Sequence, residues 1–286
     1  RVWTADFKGQ FRLGNGHLCY PITILDAYSR YLLMCRGVKS TAHHTARRAF
    51  EDSFREFGLP DVIRTDNGVP FCAPGSILGL SRLSVWFLKL GIALERSRPG
   101  KPQDNGAHER MHRTLKQSIG APRPNEATQQ RALNRFRRFY NEQRPHHALQ
   151  LQKPASYYRS SERPYPQDLP DPVYPGHFEL RRVTKIGVFT WKQHPIFLTE
   201  ALRNETVGFE PVAPGLWSVF FGEVSWGALA KKTTGSQQEW AVDLRSVVQS
   251  INGKSVTHVP GLKCYLCSRL FTNWSVSEIV GLFTVR

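Results

Sequence analysis

KPQDNGAHERMHRTLKQS, residues Lys101 to Ser118, reads as a turn followed by the start of a helix. Pro102 and Gly106 punctuate the entry, and Asp104 or Asn105 stands where a side chain accepts the unpaired N–H groups of a first turn. At 3.6 residues per turn, Glu109 shares a face with His112, Arg113 and Lys116. Met111, Leu115 and Ile119 fall on the other side at i, i+4 and i+8, the pattern of a face turned to a core. One carboxylate among cations suits a bridge between a metal ion and a polyanion. It also suits a surface helix with salt bridges, so the flanking sequence has to decide.

Upstream, Val2–Phe7, Leu18–Leu25 and Tyr31–Val38 are runs of β-forming residues, the last two joined by the turn Asp26-Ala27-Tyr28-Ser29-Arg30. Short connections predict an antiparallel meander. Thr41 to Phe57 predicts a helix, capped by Ser40 or Thr41, with Ala46, Ala49, Phe50, Phe54 and Phe57 as its apolar stripe and Gly58 at its end. A short strand follows at Asp61–Thr65, then a helix within Leu83–Leu90 and a strand around Ile92–Glu95. After the Lys101–Ser118 helix comes another at Asn125–Gln143, with Leu133, Phe136 and Tyr140 inward. Three strands, then helix and strand in alternation, then helices: this order fits an α/β fold, a mixed five-stranded sheet flanked by helices.

Two aspartates close predicted strands, Asp6 in WTADFKG and Asp66 in RTDNG. If the first and fourth strands are neighbours, both reach one sheet edge and the helix can bring Glu109 over them. Three carboxylates drawn together repel unless cations sit among them. Mg²⁺ or Mn²⁺ suits oxygen ligands, and a pair of such ions serves displacement at phosphorus. Asp104 and Glu95 compete for the third place, but Asp104 is better used as a cap and Glu95 lacks basic helical surroundings. Asp26 reads as a turn residue.

The chain of 286 residues carries 39 Lys plus Arg against 23 Asp plus Glu, a net charge of +16, with 40% hydrophobic residues. That is enough apolar material for a core and about two domains. The cationic excess favours a polyanionic partner, most simply DNA, whose phosphates release counterions on binding. Cys19, Cys35, Cys72, Cys264 and Cys267 are odd in number and scattered, unlike a secreted disulfide framework. Cys19 and Cys35 read as buried apolar residues. Cys264-x-x-Cys267 would be half a zinc site, without a second ligand pair at suitable spacing. No run of about 18 uninterrupted apolar residues predicts a membrane span.

WTADFKG, ILDAYSRY, RTDNG and GKPQDNGAHERMHRTLK together resemble the catalytic core of the retroviral-integrase-like Asp-Asp-Glu transposases of bacterial insertion sequences. FYNEQRPHHALQLQKPASYYRSSERPYP, Phe139 to Pro166, resembles the helix and exit segment that follow that core. The resemblance implies an RNase-H-like fold, with Asp6, Asp66 and Glu109 as catalytic metal ligands for two Mg²⁺ or Mn²⁺ ions. It also implies transposon ends and target DNA as partners, a homo-oligomer when active, and a cytoplasmic place in a bacterium on nucleoid DNA. Lys101, His112, Arg113 and Lys116 are the expected contacts to DNA phosphates. The gap between Asp66 and Glu109 exceeds that of retroviral integrases, the excess falling in a loop at Ala73–Arg82.

The expected division is a catalytic core over 1–165, a linker over 166–177, a small all-β, SH3-like barrel over 178–232 that adds DNA affinity, and an unassigned tail over 233–286. Starting at Arg1 inside a strand-like run, the sequence reads as a transposase or integrase fragment that hydrolyses and joins phosphodiesters. Its rivals are a DNA-binding remnant without activity and a metal-dependent nuclease that does not join.

Overall fold

The structure, a computed structural model, describes residues 1–73, 79–97, 105–234 and 237–243. Two compact units divide it, one running to Pro170 and the other beginning at Asp171.

In the first unit β1 (Val2–Phe7), β2 (Phe11–Arg12), β3 (Leu18–Asp26) and β4 (Leu32–Val38) precede helix α1 (His43–Phe57). Then come β5 (Val62–Thr65), α2 (Arg82–Lys89), β6 (Ala93–Arg96), α3 (Gly106–Ile119), α4 (Glu126–Glu142) and the single turn α5 (Pro154–Tyr157). The sheet runs β4–β3–β1–β5–β6, with the two-residue β2 beside β3. The pairs β4–β3 and β3–β1 are antiparallel; β1–β5 and β5–β6 are parallel. The first and fourth of the expected strands, β1 and β5, are thus neighbours. Strand order and sense are those of an RNase-H-like fold.

Side chains alternate across the strands, so each strand feeds two cores. Trp3, Ala5, Ile22 and Ile24 join Phe50, Phe54, Trp86 and Phe87 of α1 and α2 on one face. Leu25, Leu32 and Cys35 join Met111 and Leu115 of α3 and Leu133, Phe136 and Tyr140 of α4 on the other. All five residues of the expected α1 stripe are buried. Its cap differs from expectation: Ala42 precedes the first turn and makes no side-chain cap, because the helix starts beyond Ser40 and Thr41. At its end Gly58 takes φ 75°, and a Cβ there would lie 2.7 Å from the Ser161 carbonyl, so only glycine fits.

Helix α4 also covers the outer edge of β4. Asn141 accepts from the Leu32 N–H at 2.8 Å and donates to its carbonyl at 3.0 Å. Gln130 accepts from Gly37 N–H and donates to the Cys35 carbonyl. An edge strand's open backbone groups are thereby satisfied by amide side chains rather than left to pair with another chain.

In the second unit β7 (Glu179–Arg182), β10 (Thr206–Ala213), β11 (Leu216–Phe221), β12 (Val224–Thr234) and β13 (Gln237–Asp243) form an antiparallel sheet in the order β13–β12–β11–β10–β7. Strands β8 (Val188–Trp191) and β9 (His194–Phe197) form a separate hairpin. Val183, Phe189, Trp191, Val207, Phe209 and Val219 are fully buried. The sheet continues past the boundary expected at residue 232. The run Lys231-Lys232-Thr233-Thr234 has no apolar member, so no alternation marked it as strand. The expected linker is shared: Leu169 packs on the α1–α2 core, whereas the Tyr174 hydroxyl donates to the Thr206 carbonyl. No helix among the described residues is long and apolar enough to cross a membrane. Cys264 and Cys267 lie outside the described residues.

Candidate metal centre

Asp6 is the fifth residue of β1, and its neighbour Ala5 pairs with Thr65, the last residue of β5. Asp66 follows immediately, so the two carboxylates stand side by side at the C-terminal ends of parallel strands. The Asp66 Oδ1 accepts from the Gly68 N–H at 3.1 Å, closing a local turn, and the Asn67 amide donates to the Ser97 carbonyl at the end of β6. Glu109 lies in the first turn of α3, exposed to solvent.

Electrostatics tie the three together. Asp6 is pushed up from 3.8 to about 7, first by burial and next by the Asp66 charge; Glu109 adds a smaller push. The Phe7 backbone N–H and the Lys8 ammonium oppose the shift. Like charges that push one buried carboxyl upward in this way make a site incomplete as an all-protein arrangement and complete with a hard cation. The donor set therefore fits Mg²⁺ or Mn²⁺. Glu95, the rival carboxylate, is held by the Arg64 guanidinium at 2.7 and 2.9 Å.

Beside Asp6 lies a network that the sequence reading missed. His108 is wholly buried, with its Nδ1 2.9 Å from Thr4 Oγ1 and its Nε2 2.7 Å from Thr23 Oγ1. The same Thr23 oxygen lies 2.7 Å from His112 Nε2 and donates toward the Asp6 carbonyl at 3.1 Å. Burial holds both imidazoles below their ordinary range, His112 down to about 3. Both are therefore neutral, and one proton arrangement satisfies every contact of the two rings, leaving unused only the longer approach of Thr4 Oγ1 to the Leu25 carbonyl at 3.4 Å. Each Nε2–H donates to Thr23, Thr23 donates to the Asp6 carbonyl, and Thr4 donates to His108 Nδ1. Asp6, His108 and His112 offer ligand atoms within 4.8 Å of one another. Yet His108 has no nitrogen to spare, so the cluster locks α3 to β1 and β3 instead of forming a three-ligand site. His112 Nδ1 alone faces the Asp6 carboxylate, at 3.7 Å, beyond hydrogen-bond length.

This corrects the assignment of His112 to DNA: it is buried beneath α3, not on the Glu109 face. The spacing of His108 and His112, one helical turn apart, was the available signal, since residues at i and i+4 share a face. Lys8, two residues past Asp6, is a further cation near the carboxylates. Arg113 and Lys116 are exposed on α3; Lys101 and Asp104 lie outside the described residues. Asn105 makes no side-chain cap. Asp26 behaves as a turn residue, its Oδ2 accepting from the Ser29 N–H at 2.8 Å and the Ser29 hydroxyl at 2.6 Å.

Comparison with known proteins bears on the same residues. Residues 1–102 match one family model and residues 90–154 a second, both described as integrase core domain. The Gag-Pol polyprotein of baboon endogenous virus (strain M7) is 33% identical over 117 residues, 41% of this chain and 6% of that protein. The Pol polyprotein of radiation murine leukemia virus (strain Kaplan) is 30% identical over 118 residues, 41% of this chain and 19% of that protein. The chain spans only a small part of these relatives' length. Among solved structures, the simian T-cell lymphotropic virus intasome in complex with PP2A regulatory subunit B56 gamma aligns at TM-score 0.45 and 15% identity, over 86% of this chain and 76% of that one. The HTLV-2 integrase catalytic core domain in complex with magnesium (trimeric form) aligns at TM-score 0.43 and 14% identity, over 56% and 96%. Residues 1–154 of the chain are thus matched throughout by integrase core domain models of the rve type, one over the first part and the other over the last.

Proposed function

We propose that the chain carries out the phosphodiester hydrolysis and strand transfer of DNA integration, as a transposase or integrase fragment. The observation that carries the proposal is the convergence of Asp6, Asp66 and Glu109, felt in the raised pKa of Asp6. These residues would hold Mg²⁺ or Mn²⁺ as a pair of ions, and such ions supply Lewis-acid neutralisation of charge at a reacting phosphodiester. Asp6 and Asp66 define the floor of the site from two rigid strands. The His108–Thr23–His112 network fixes the roll of α3 and so the position of Glu109. Arg113 and Lys116, exposed on that helix, would hold DNA phosphates beside the site.

In the first reaction water attacks phosphorus at a transposon end, the bond to the departing 3′-oxygen breaks, and a 3′-hydroxyl is released. In the second that hydroxyl attacks a phosphodiester of the target and expels its 3′-oxygen. No covalent protein–DNA intermediate is needed, so no serine or tyrosine nucleophile enters. Joining two ends to one target calls for at least two copies of the chain, acting in this reading on cytoplasmic, nucleoid DNA of a bacterium. The test supplies pre-cut ends, a target plasmid and Mg²⁺. Joined product supports the proposal, cut product alone selects the nuclease, and bound DNA without either selects an inactive remnant.

A further inference from the structure

The segment after α4, which the carboxylate site leaves unused, builds a second feature. Arg144, His146 and His147 meet Arg30 of the β3–β4 turn and Arg110 of α3 around a pocket of about 280 Å³. Among the described residues no Asp or Glu lines it. None of the ion pairs found among the described residues engages Arg30, Arg110 or Arg144. Tyr140 forms the pocket's buried wall, with His146 against its ring at 4.7 Å and the Arg144 guanidinium 5.8 Å from the ring centre. Three guanidiniums around one cavity repel each other, and the one acceptor found for them among the described residues is His146 Nε2, 3.5 Å from Arg144 Nη1, which leaves most of their forked donors open. A tetrahedral oxyanion resolves both problems at once. The first turn of α3, whose Gly106 and Ala107 reach the pocket, adds the positive end of a helix.

Position separates this pocket from the carboxylates. Ala107, Arg110, Met111 and Thr114 recur at i, i+3, i+4 and i+7 and form the flank of α3 that lines the pocket. Glu109, Arg113 and Lys116 recur at i, i+4 and i+7 on the opposite flank. A phosphate held here is therefore not the reacting one. Among the described residues the lining also offers no amide or carboxylate side chain to read a base edge. We propose that the pocket grips a backbone phosphate of DNA away from the site of cleavage, without regard to sequence. This rests on the DNA-joining function proposed above.

The test measures binding of the full chain to two duplexes of unrelated sequence over a salt series, for wild type, Arg110→Gln and Arg144→Gln. Loss of one phosphate contact lowers the slope of log affinity against log salt by about 0.9. Each variant is expected to show that drop on both duplexes. Arg110→Gln is the cleaner variant, because Arg110 is exposed whereas Arg144 also packs on Tyr140. Wild-type affinity and slope in Arg110→Gln would overturn the pocket's role while leaving the joining function standing. Failure of the wild-type chain to bind DNA would overturn both. Titration with inorganic phosphate separates the sources: binding lost in Arg110→Gln while the DNA slope stays unchanged would make a free anion the occupant and overturn the proposal.

Discussion

Asp6 meets two opposed demands, a low-dielectric place on β1 and a negative neighbour in Asp66. Its folded pKa of about 7 lies above the 3.8 of the free side chain. In metal-free buffer its contribution to stability is therefore fully present below pH 3.8 and is lost as pH rises through about 7. Asp6→Asn, which cannot ionise, should escape this loss. In EDTA the wild type should lose on the order of 1–3 kcal/mol relative to the variant between pH 4 and 8. Parallel stability curves from chemical denaturation would contradict the electrostatic account. A second expectation concerns Thr23, the single oxygen that receives two histidines. Thr23→Val keeps the shape but strands both Nε2–H groups in the interior, which should cost roughly 2–4 kcal/mol by the same measurement. The pair was hard to read from sequence because α3 buries two sides, not one. Met111 and Leu115 mark the side facing α4, but a neutral histidine does not register in an apolar pattern. Glu109 and His112 therefore look like face-mates, and only the contacts to Thr4 and Thr23 separate them.

Among the elements, α4 and β4 depend on each other through Asn141. Asn141→Ala should leave the Leu32 N–H without its partner, and the Leu32 carbonyl with only the Arg137 guanidinium at 3.2 Å. A loss of about 2–3 kcal/mol is expected, seen as a lower urea midpoint at unchanged slope. A wild-type midpoint would show that water substitutes for the amide. The apolar contribution of α4 was legible in Leu133, Phe136 and Tyr140, since three residues at helical spacing leave one choice of face. The roles of Gln130 and Asn141 were not, because an amide has no periodic signature and its partner lies in a strand remote in sequence. The alternating strands β1, β3 and β5 were legible for the opposite reason: burial on both faces demands unbroken β-forming runs, and the aspartates stand at their ends. In the second unit the far end of β12 was not, since Lys231 to Thr234 carries no apolar mark.

For the molecule as a whole, most of the +16 lies in the first unit, whereas in the second Arg181, Lys192 and Lys231 lie over tryptophan rings at 4.9 to 5.5 Å. If that unit contributes DNA affinity, a chain ending at residue 170 should bind more weakly than the full chain and show a shallower salt slope. Equal affinity and equal slope would remove the role. The central claim concerns the carboxylates, and Asp66→Asn tests it most directly. The amide keeps the shape and loses the anionic oxygen that a hard divalent cation prefers. Asp26→Asn serves as control, since the turn that Asp26 closes through Ser29 tolerates an amide. In a strand-transfer assay on pre-cut ends in Mg²⁺, run beside DNA binding at fixed salt, Asp66→Asn should lose joining by at least about a hundredfold while binding DNA as the wild type does. The Asp26 variant should keep both. Full joining by Asp66→Asn with unchanged metal dependence would contradict the account.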